Sequence, residues 1–551
     1  MSTEHRSPLF RHAAEYVAEV ARLDPVAATF MGIGGYDDQL GDYSLEGAAH
    51  RTDAARRALA RLADLDDVDE ADRIARGVMV DRLSLQLELD ATHESMVRWG
   101  AIGSVPLSIR QAIEMMPGET EDEIDRVTSR LAAVPTAYAT WRSGVAELAA
   151  QGVTTPRRHV LGVAAQLETF AEGAYVELAA RLDPHARRPA LHAAAMVADR
   201  EAGALADWLR RGCLASASVN DAVGEERYAL WAASYTGSSL DLRETYEWGL
   251  QDLREITGRM RRVASSAVPG AASLREVATR LDEDPRYLVR GTDELLARLR
   301  AFLERAVAAL DGTHFDIDAR IRHCDVRIAP AGSAAAPYYT GPSDDLSRPG
   351  TTWFPTLGQD VFSWWSLPST WYHEGVPGHH LQIATAVAER NRLSAFQRLV
   401  ESADGYVEGW ALYAERLMDD LGAFDDPGEE LGFLSGQALR AARVVVDIGL
   451  HLGLRDPRGE VWTAASAVDL LVDEALLDLD YARSEVDRYL AIPGQAISYK
   501  VGERAWLATR EAARGRVAGE FSLRRFHARA LLLGPMGLDR FTSEMSTWDG
   551  R

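Results

Sequence analysis

A short segment in the second half of the chain contains residues that can hold a metal ion and use it. Residues 373–380 read HEGVPGHH, with three histidines and one glutamate in eight positions. Neutral imidazole is a common zinc ligand, and a glutamate beside the first histidine is typical of the general base in zinc hydrolases. We therefore expect His373 to bind one Zn²⁺ ion and Glu374 to take a proton from water.

The second histidine ligand is ambiguous in this segment. On a zinc-binding helix the two histidines normally stand four residues apart, but here that position is Pro377. His380 lies two turns beyond His373, about 10.5 Å along a straight helix, which is too far for a shared ion. His379 can serve if Pro377 and Gly378 interrupt the helix, as both residue types readily do. We favour His379 for this reason.

A third ligand is expected from the segment YVEGWALYAERLM, which follows about thirty residues later. Glu408 and Glu415 lie two turns apart on one helical face, among aromatic and apolar residues. Charged side chains in such surroundings are costly unless they are paired or bind a metal. Glu408 is the candidate ligand, and Glu415 is the candidate acceptor that orients a histidine. The alternative is a solvated glutamate face without function.

Two further groups of polar residues are candidates for contact with a substrate. Arg443, Asp447 and His451 recur every four residues on an otherwise apolar helix, which fits a cleft wall, a buried network or an exposed ion pair. A guanidinium can bind a carboxylate through two parallel hydrogen bonds, so Arg443 is a candidate for gripping the C-terminus of a peptide. Tyr499 and Lys500 follow a Pro-Gly turn, and a tyrosine hydroxyl can stabilise an oxyanion.

The elements that must position these residues are predicted to be mainly α-helices. Segments such as AAEYVAEVARL and ELLARLRAFLERAVAAL place apolar residues three and four positions apart among good helix formers. The pattern changes between about 311 and 358, where HCDVRIAP, APYYTGP and TTWFPT have the character of short strands. We expect a small β-sheet at about 320–358 beside the active-site cleft. A hairpin that closes off a core is the alternative.

Composition and missing motifs limit the possible functions. The 551 residues carry a net charge of −23, which argues against nucleic acid or an anionic membrane as the main partner. No membrane span or secretion signal is visible, and two cysteines, Cys213 and Cys324, exclude a disulfide framework. We expect a cytoplasmic protein. The motifs of serine hydrolases, nucleotide hydrolases and dinucleotide-binding enzymes are lacking.

Four ordered motifs together resemble a known family. HEGVPGHHLQ, EGWALYAE, RAARVVVDIGLH and PGQAISYKVG resemble the bacterial family called domain of unknown function 885, as does the stretch YYTGPSDDLSRPG. That family is similar to helical gluzincin zinc peptidases of the thimet-oligopeptidase and carboxypeptidase Taq type. The resemblance implies a two-lobed helical metallopeptidase-like body, with an N-terminal helical lobe at residues 1–315 and a catalytic lobe at 316–551.

The resemblance also implies roles for individual residues. His373, His379 and Glu408 would be metal ligands, Glu374 the base, and Tyr499 the residue that steadies the tetrahedral intermediate. The two-residue insertion before His379 departs from the usual spacing of the peptidases. Glu415 matches the acidic residue two turns after the glutamate ligand. The full set of candidates for supporting the ligands or contacting substrate is His380, Glu415, Arg443, Asp447, His451, Tyr339, Arg348 and Lys500.

These observations predict a zinc-dependent peptidase that cleaves short peptides through a metal-activated water. Three alternatives share the same residues. One is a hydrolase of non-peptide amides, and another is a non-haem iron enzyme, because two histidines and one carboxylate also suit that chemistry. The third is a protein that binds peptides without cutting them. The oligomeric state does not follow from the sequence.

Overall fold

The computed structural model describes residues 7–100, 103–329, 336–401, 403–517 and 519–550. Over these residues the protein is mainly helical with two small β-sheets, which confirms the prediction of a mainly helical fold with a small sheet. The chain forms two compact units. Unit 1 comprises Met1–Asp72, Met79–Val223 and Asp487–Ile492, and unit 2 comprises Arg73–Val78, Gly224–Val486 and Pro493–Arg551. Within the described residues, no helix combines the length and the apolar character needed to cross a membrane.

Unit 1 is helical and is centred on a long helix that packs against a second one. The longer helix, Glu121–Ala150, begins at a capping box in which the Thr120 side chain accepts from the backbone of Glu123 and the Glu123 side chain accepts from that of Thr120. The helices of this region are α1 (Pro8–Leu23), α2 (Pro25–Phe30), α3 (Leu45–Leu62), α4 (Glu70–Ala91), α5 (Glu94–Val97), α6 (Val105–Glu114), α7 (Glu121–Ala150), α8 (Arg157–Ala171), α9 (Ala174–Leu182), α10 (Pro189–Trp208) and α11 (Leu214–Ser216). Its core forms where α7 packs on α10.

Unit 2 contains the remaining helices and all the candidate site residues. Its helices are α12 (Glu225–Thr236), α13 (Leu242–Ala267), α14 (Leu274–Glu283), α15 (Thr292–Leu310), α16 (Leu367–Glu374), α17 (His379–Ala388), α18 (Ala395–Leu399), α19 (Asp404–Asp420), α20 (Pro427–Leu452), α21 (Ala464–Glu474), α22 (Leu479–Ala491), α23 (Ser498–Arg516), α24 (Leu523–Leu532) and α25 (Leu538–Ser546). The last residues of α22 belong to unit 1.

The predicted sheet is present where the helical pattern breaks. Its strands are β2 (Cys324–Ile328), β3 (Tyr338–Thr340) and β4 (Gly350–Phe354), in the order β2-β4-β3. Strand β4 pairs parallel to β2 and antiparallel to β3. A second sheet of two antiparallel strands, β1 (Leu288–Arg290) and β5 (Val361–Ser363), was not predicted. Its strands have three residues each, which is too short for an alternating pattern to be recognised.

Helices α16, α19, α20 and α23 hold most of the candidate site residues. Helix α16 packs on both α19 and α20, and α19 packs on α23. The last contact depends on small residues, because a Cβ atom at Gly409 of α19 would lie 2.4 Å from the Cα atom of Gly502 on α23. The two backbones are therefore closer than any larger residue would allow.

Candidate metal centre

The chain breaks between His373 and His379, as the sequence predicts. Helix α16 ends at Glu374, the Val376–Pro377 peptide bond is cis, and α17 begins at His379. A Cβ atom at Gly378 would lie 1.9 Å from the carbonyl oxygen of His373, so only glycine fits this turn. The result is that the His373 and His379 rings face each other with centroids 4.7 Å apart and planes at 85°.

Helix α19 adds the carboxylate of Glu408 to the two histidines. Glu408 Oε2 lies 3.3 Å from His373 Nε2 and 3.5 Å from His379 Nε2. These contacts lack hydrogen-bond geometry, and Glu408 Oε2 is buried without a hydrogen-bond partner among the described residues. One ligand atom from each of the three residues falls within 4.8 Å of the others. Two imidazoles and one carboxylate at such distances are a donor set that fits zinc.

The carboxylates around His373 favour a positive charge at this point. His373 Nδ1 lies 2.8 Å from Glu415 Oε1, and a carboxylate only accepts, so Nδ1 holds the proton. His373 Nε2 faces Glu408 Oε2 at 3.3 Å, so either a proton on Nε2 or a metal ion between the two atoms offsets the negative charge of the carboxylate. Burial lowers the pKa of His373, but the carboxylates of Glu408 and Glu415 more than offset this and raise it to about 10. The site therefore attracts positive charge.

Glu415 anchors the first histidine, as expected of the second glutamate on α19. Its Oε2 accepts a 2.5 Å hydrogen bond from Ser369 Oγ, while its Oε1 accepts from His373. The carboxylate is buried, so both bonds are shielded from water. Burial raises the pKa of Glu415, but the hydrogen bonds from His373 and Ser369 and the positive charges of Arg440 and His373 together outweigh burial and leave the pKa below the usual value. Such acceptors fix the orientation of a metal-binding imidazole.

Glu374 lies beside the cluster on the wall of a cavity of about 520 Å³. Burial raises its pKa, since a charged carboxylate is poorly solvated there. The cavity is also lined by His373, His379 and Glu408, so the three donor atoms and Glu374 are all accessible from one space. The other residues that line it include Tyr338, Tyr339, Thr370, Leu439, Arg440, Arg443, Tyr481 and Tyr499.

His380 points away from the cluster. Its Nε2 donates to the carbonyl oxygen of Ile321 over 2.7 Å, and its Nδ1 accepts from the Tyr339 hydroxyl at 3.1 Å. Burial lowers the pKa of His380 to about 4, in keeping with a neutral ring that uses one nitrogen as donor and the other as acceptor. The geometry thus favours His379 over His380 as a ligand. Tyr339 touches both His380 and the cavity.

The polar stripe on α20 divides into two parts. Arg443 lines the cavity, and its Nε and Nη2 donate to Glu485 Oε2 at 3.0 and 2.8 Å. Asp447 and His451 are fully buried and contact each other at 3.5 Å, away from the cavity lining. Asp447 also accepts from the Tyr228 hydroxyl and the Gly494 amide, both at 2.9 Å. These two residues therefore belong to a buried network rather than to the cleft wall.

Tyr499 lies at the cavity, whereas Lys500 and Arg348 do not line it. The Tyr499 ring stacks on His373 with centroids 6.4 Å apart, and the guanidinium of Arg443 lies 4.7 Å above the same ring. The Lys500 ammonium is buried among Gln437, Asp252 and Glu503, and its bond to Gln437 is 2.7 Å long. Arg348 is exposed, and its side chain reaches the carbonyl oxygen of Pro349.

Among the residues of this site that sequence reasoning missed, two are charged. Arg440 lines the cavity one turn before Arg443, and only its place on the same helical face pointed to it. Glu485, the partner of Arg443, lies on α22 and carried no signal, since its pairing depends on the tertiary fold.

Comparisons with known proteins identify one family and two solved structures of the same fold. The family model described as bacterial protein of unknown function (DUF885) matches residues 25–545. A search of curated proteins finds no match. Two solved structures, both described as a "putative lipoprotein", share the fold. The one from Colwellia psychrerythraea has a TM-score of 0.85 at 23% identity, covering 98% of both chains. The one from Shewanella oneidensis has 0.76 at 19% identity, covering 98% of this chain and 100% of the other.

Proposed function

The chain belongs to the DUF885 family of bacterial proteins, and we propose that it is a zinc-dependent hydrolase that cleaves peptide bonds of short peptides. One observation carries the proposal. The donor atoms of His373, His379 and Glu408 converge within 4.8 Å, and Glu374 lies beside them on the same cavity. Three protein ligands and a neighbouring carboxylate are typical of catalytic zinc sites, which keep one position open.

The side chains have distinct roles in this proposal. Bound zinc supplies a Lewis acid and lowers the pKa of a coordinated water. Glu374 accepts the proton of the attacking water and passes it to the leaving amine. Glu415 holds the His373 ring in place through Nδ1, and Tyr499 is the candidate hydrogen-bond donor to the carbonyl oxygen of the substrate. His380 supports the cavity wall through Tyr339.

The size of the cavity supports a small substrate. About 520 Å³ lies within the range of roughly 300–1,000 Å³ found for small-molecule sites. A few residues of extended chain fit in such a space, whereas a folded protein does not. The relationship to gluzincin peptidases, with two lobes divided at residues 315 and 316, and the cytoplasmic location stay predictions.

The experiment that tests the proposal combines metal analysis with a cleavage assay. The purified protein should bind one zinc per chain and cleave members of a mixed short-peptide library, detected by mass spectrometry. Glu374→Gln is the matched control, because it keeps the three ligands and removes the base. Iron in place of zinc, with no hydrolysis, would favour an oxygen-using enzyme. Cleavage of other amides alone would favour an amide hydrolase, and tight peptide binding without cleavage would favour a binding protein.

A further inference from the structure

The cavity contains a guanidinium that the protein itself does not neutralise by an ion pair. Arg440, on α20, lines the cavity, and its Nη1 donates to the carbonyl oxygen of Gly436 at 3.2 Å, one turn back on the same helix. Its Nε is buried and has no hydrogen-bond partner among the described residues. No carboxylate in the described part of the chain forms an ion pair with it. Nη2 forms no hydrogen bond with the described residues and is not buried, so the outer end of this guanidinium is available to a ligand in the cavity.

The neighbouring arginine shows the contrasting case. Arg443 lies one turn further along α20, also lines the cavity, and donates twice to the buried carboxylate of Glu485. The guanidinium of Arg443 is thus committed to a partner within the protein, whereas that of Arg440 is not. This difference shifts the carboxylate-binding role, which the sequence suggested for Arg443, to Arg440.

The distance between Arg440 and the metal cluster limits the length of a ligand that can contact both. The Tyr499 ring is close to both, with its centroid 6.4 Å from that of the His373 ring and 5.9 Å from Cζ of Arg440. An extended peptide covers at most about 3.3–3.6 Å per residue. No more than about three residues are therefore needed to connect a carbonyl at the cluster with a group held by Arg440.

We propose that Arg440 binds the C-terminal carboxylate of the substrate, so that the enzyme cuts short peptides within about three residues of a free C-terminus. The inference rests on the proposed peptidase function. The inference specifies the substrate class, peptides with a free C-terminus. A guanidinium binds a carboxylate through two parallel charged hydrogen bonds and binds a neutral terminal amide much more weakly. Nε is buried, so the donors for such a pair are Nη2 and the second hydrogen of Nη1, whose first hydrogen is used by Gly436.

The test compares matched peptides as free acids and as C-terminal amides, with free N-termini in both. The wild-type enzyme should have a kcat/KM for the acid about 10- to 100-fold higher than for the amide, the usual contribution of charged hydrogen bonds. Arg440→Gln should bring the ratio of the two kcat/KM values to about one. The ratio is the readout because the charge of Arg440 also acts on Glu374 and Glu415 and its loss changes the rate on both peptides. Arg504→Gln, which removes an exposed arginine paired with Glu244 on the same unit, is the control for the loss of one positive charge and should keep the preference.

The outcomes separate this inference from the proposed function. If the wild type cleaves acid and amide equally well, or if Arg440→Gln slows both equally, Arg440 does not anchor a carboxylate while the peptidase function stands. If the wild type cleaves neither peptide, the peptidase function fails. In that case, calorimetric titration measures the affinity of the protein for both peptides and tests the role of Arg440 in binding. Tighter binding of the acid, lost in Arg440→Gln, supports the inference, and equal binding overturns it.

Discussion

The two neighbouring histidines of the HEGVPGHH segment should respond to alanine in opposite ways. His379→Ala removes a candidate zinc ligand whose ring makes no hydrogen bond to the described protein through Nδ1. Residues that only support a ligand contribute about 10- to 100-fold to metal affinity, so loss of a ligand should cost at least about 100-fold, or about 2.7 kcal/mol. The stability of the zinc-free protein should fall by about 1 kcal/mol, since this ring borders the open cavity.

His380→Ala has a different cost because the ring is 1% exposed and uses both nitrogens. The Tyr339 hydroxyl can turn to water in the cavity, but the carbonyl oxygen of Ile321 is left unsatisfied in a buried place. That penalty, together with the space left by the ring, should lower the free energy of unfolding by about 2–4 kcal/mol. Zinc affinity should stay within about threefold of the wild type, because His380 is not among the converging donors.

Zinc competition against a chromophoric chelator measures the affinity, and urea unfolding in EDTA measures the stability of the metal-free form. Both variants are compared at a temperature where circular dichroism shows native helix content. Equal loss of zinc in the two variants, or retention of zinc by His379→Ala, would refute the geometry of the chain break.

Three other changes have expected outcomes. Glu374→Gln should keep zinc and lower kcat about 10²- to 10⁴-fold, measured by peptide cleavage, and near-normal turnover contradicts its role as the base. Glu415→Gln should weaken zinc binding about 10- to 100-fold in the chelator assay; an unchanged affinity would show that His373 needs no such anchor. His527 should make the fold acid-sensitive, because burial lowers its folded pKa to about 3 against 6.5 unfolded. The neutral His527 ring contributes fully to the free energy of unfolding above pH 6.5. This contribution is lost as the pH falls, and at pH 4 the free energy of unfolding is lower by roughly 3 kcal/mol.

The His527 prediction is checked by urea unfolding at pH 7 and pH 4. His527 Nδ1 donates to the carbonyl oxygen of His314 at 2.9 Å and its Nε2 accepts from the Tyr413 hydroxyl at 2.7 Å, so a neutral ring is what the fold requires. His527→Gln removes the titrating group and should reduce the difference in unfolding free energy between the two pH values. An equal difference in wild type and variant assigns the acid sensitivity to other groups.

Parts of the site could be predicted from the sequence where the information is local. Pro377 and Gly378 predict a break whatever packs around them, and this brought His379 back to His373. Glu408 and Glu415 share a face through helical periodicity alone. The same local information identified the sheet between residues 320 and 358.

Other parts depend on contacts between distant segments. Glu485 reaches Arg443 only because α22 folds against α20, and nothing near Glu485 indicates this. In sequence, Asp447 and His451 fit a cleft wall as well as a buried network, and only the contacts of the Asp447 carboxylate with Tyr228 and Gly494 distinguish the two. The segment Asp487–Ile492 belongs to unit 1, although the rest of that unit ends at Val223. Local sequence patterns do not indicate such a discontinuous unit.

The contact between Gly409 and Gly502 has a consequence for any survey of substitutions in this protein. Neither glycine touches the cavity, yet Gly409 follows Glu408 directly, and Gly502 lies three residues after Tyr499. An alanine at either position would force the two helices apart and change the separation of Glu408 and Tyr499, each of which borders the cavity. A mutational scan for loss of activity should therefore identify Gly409 and Gly502 as well as the metal ligands. Substitutions at these two positions would also change the width of the cavity, although neither residue lines it.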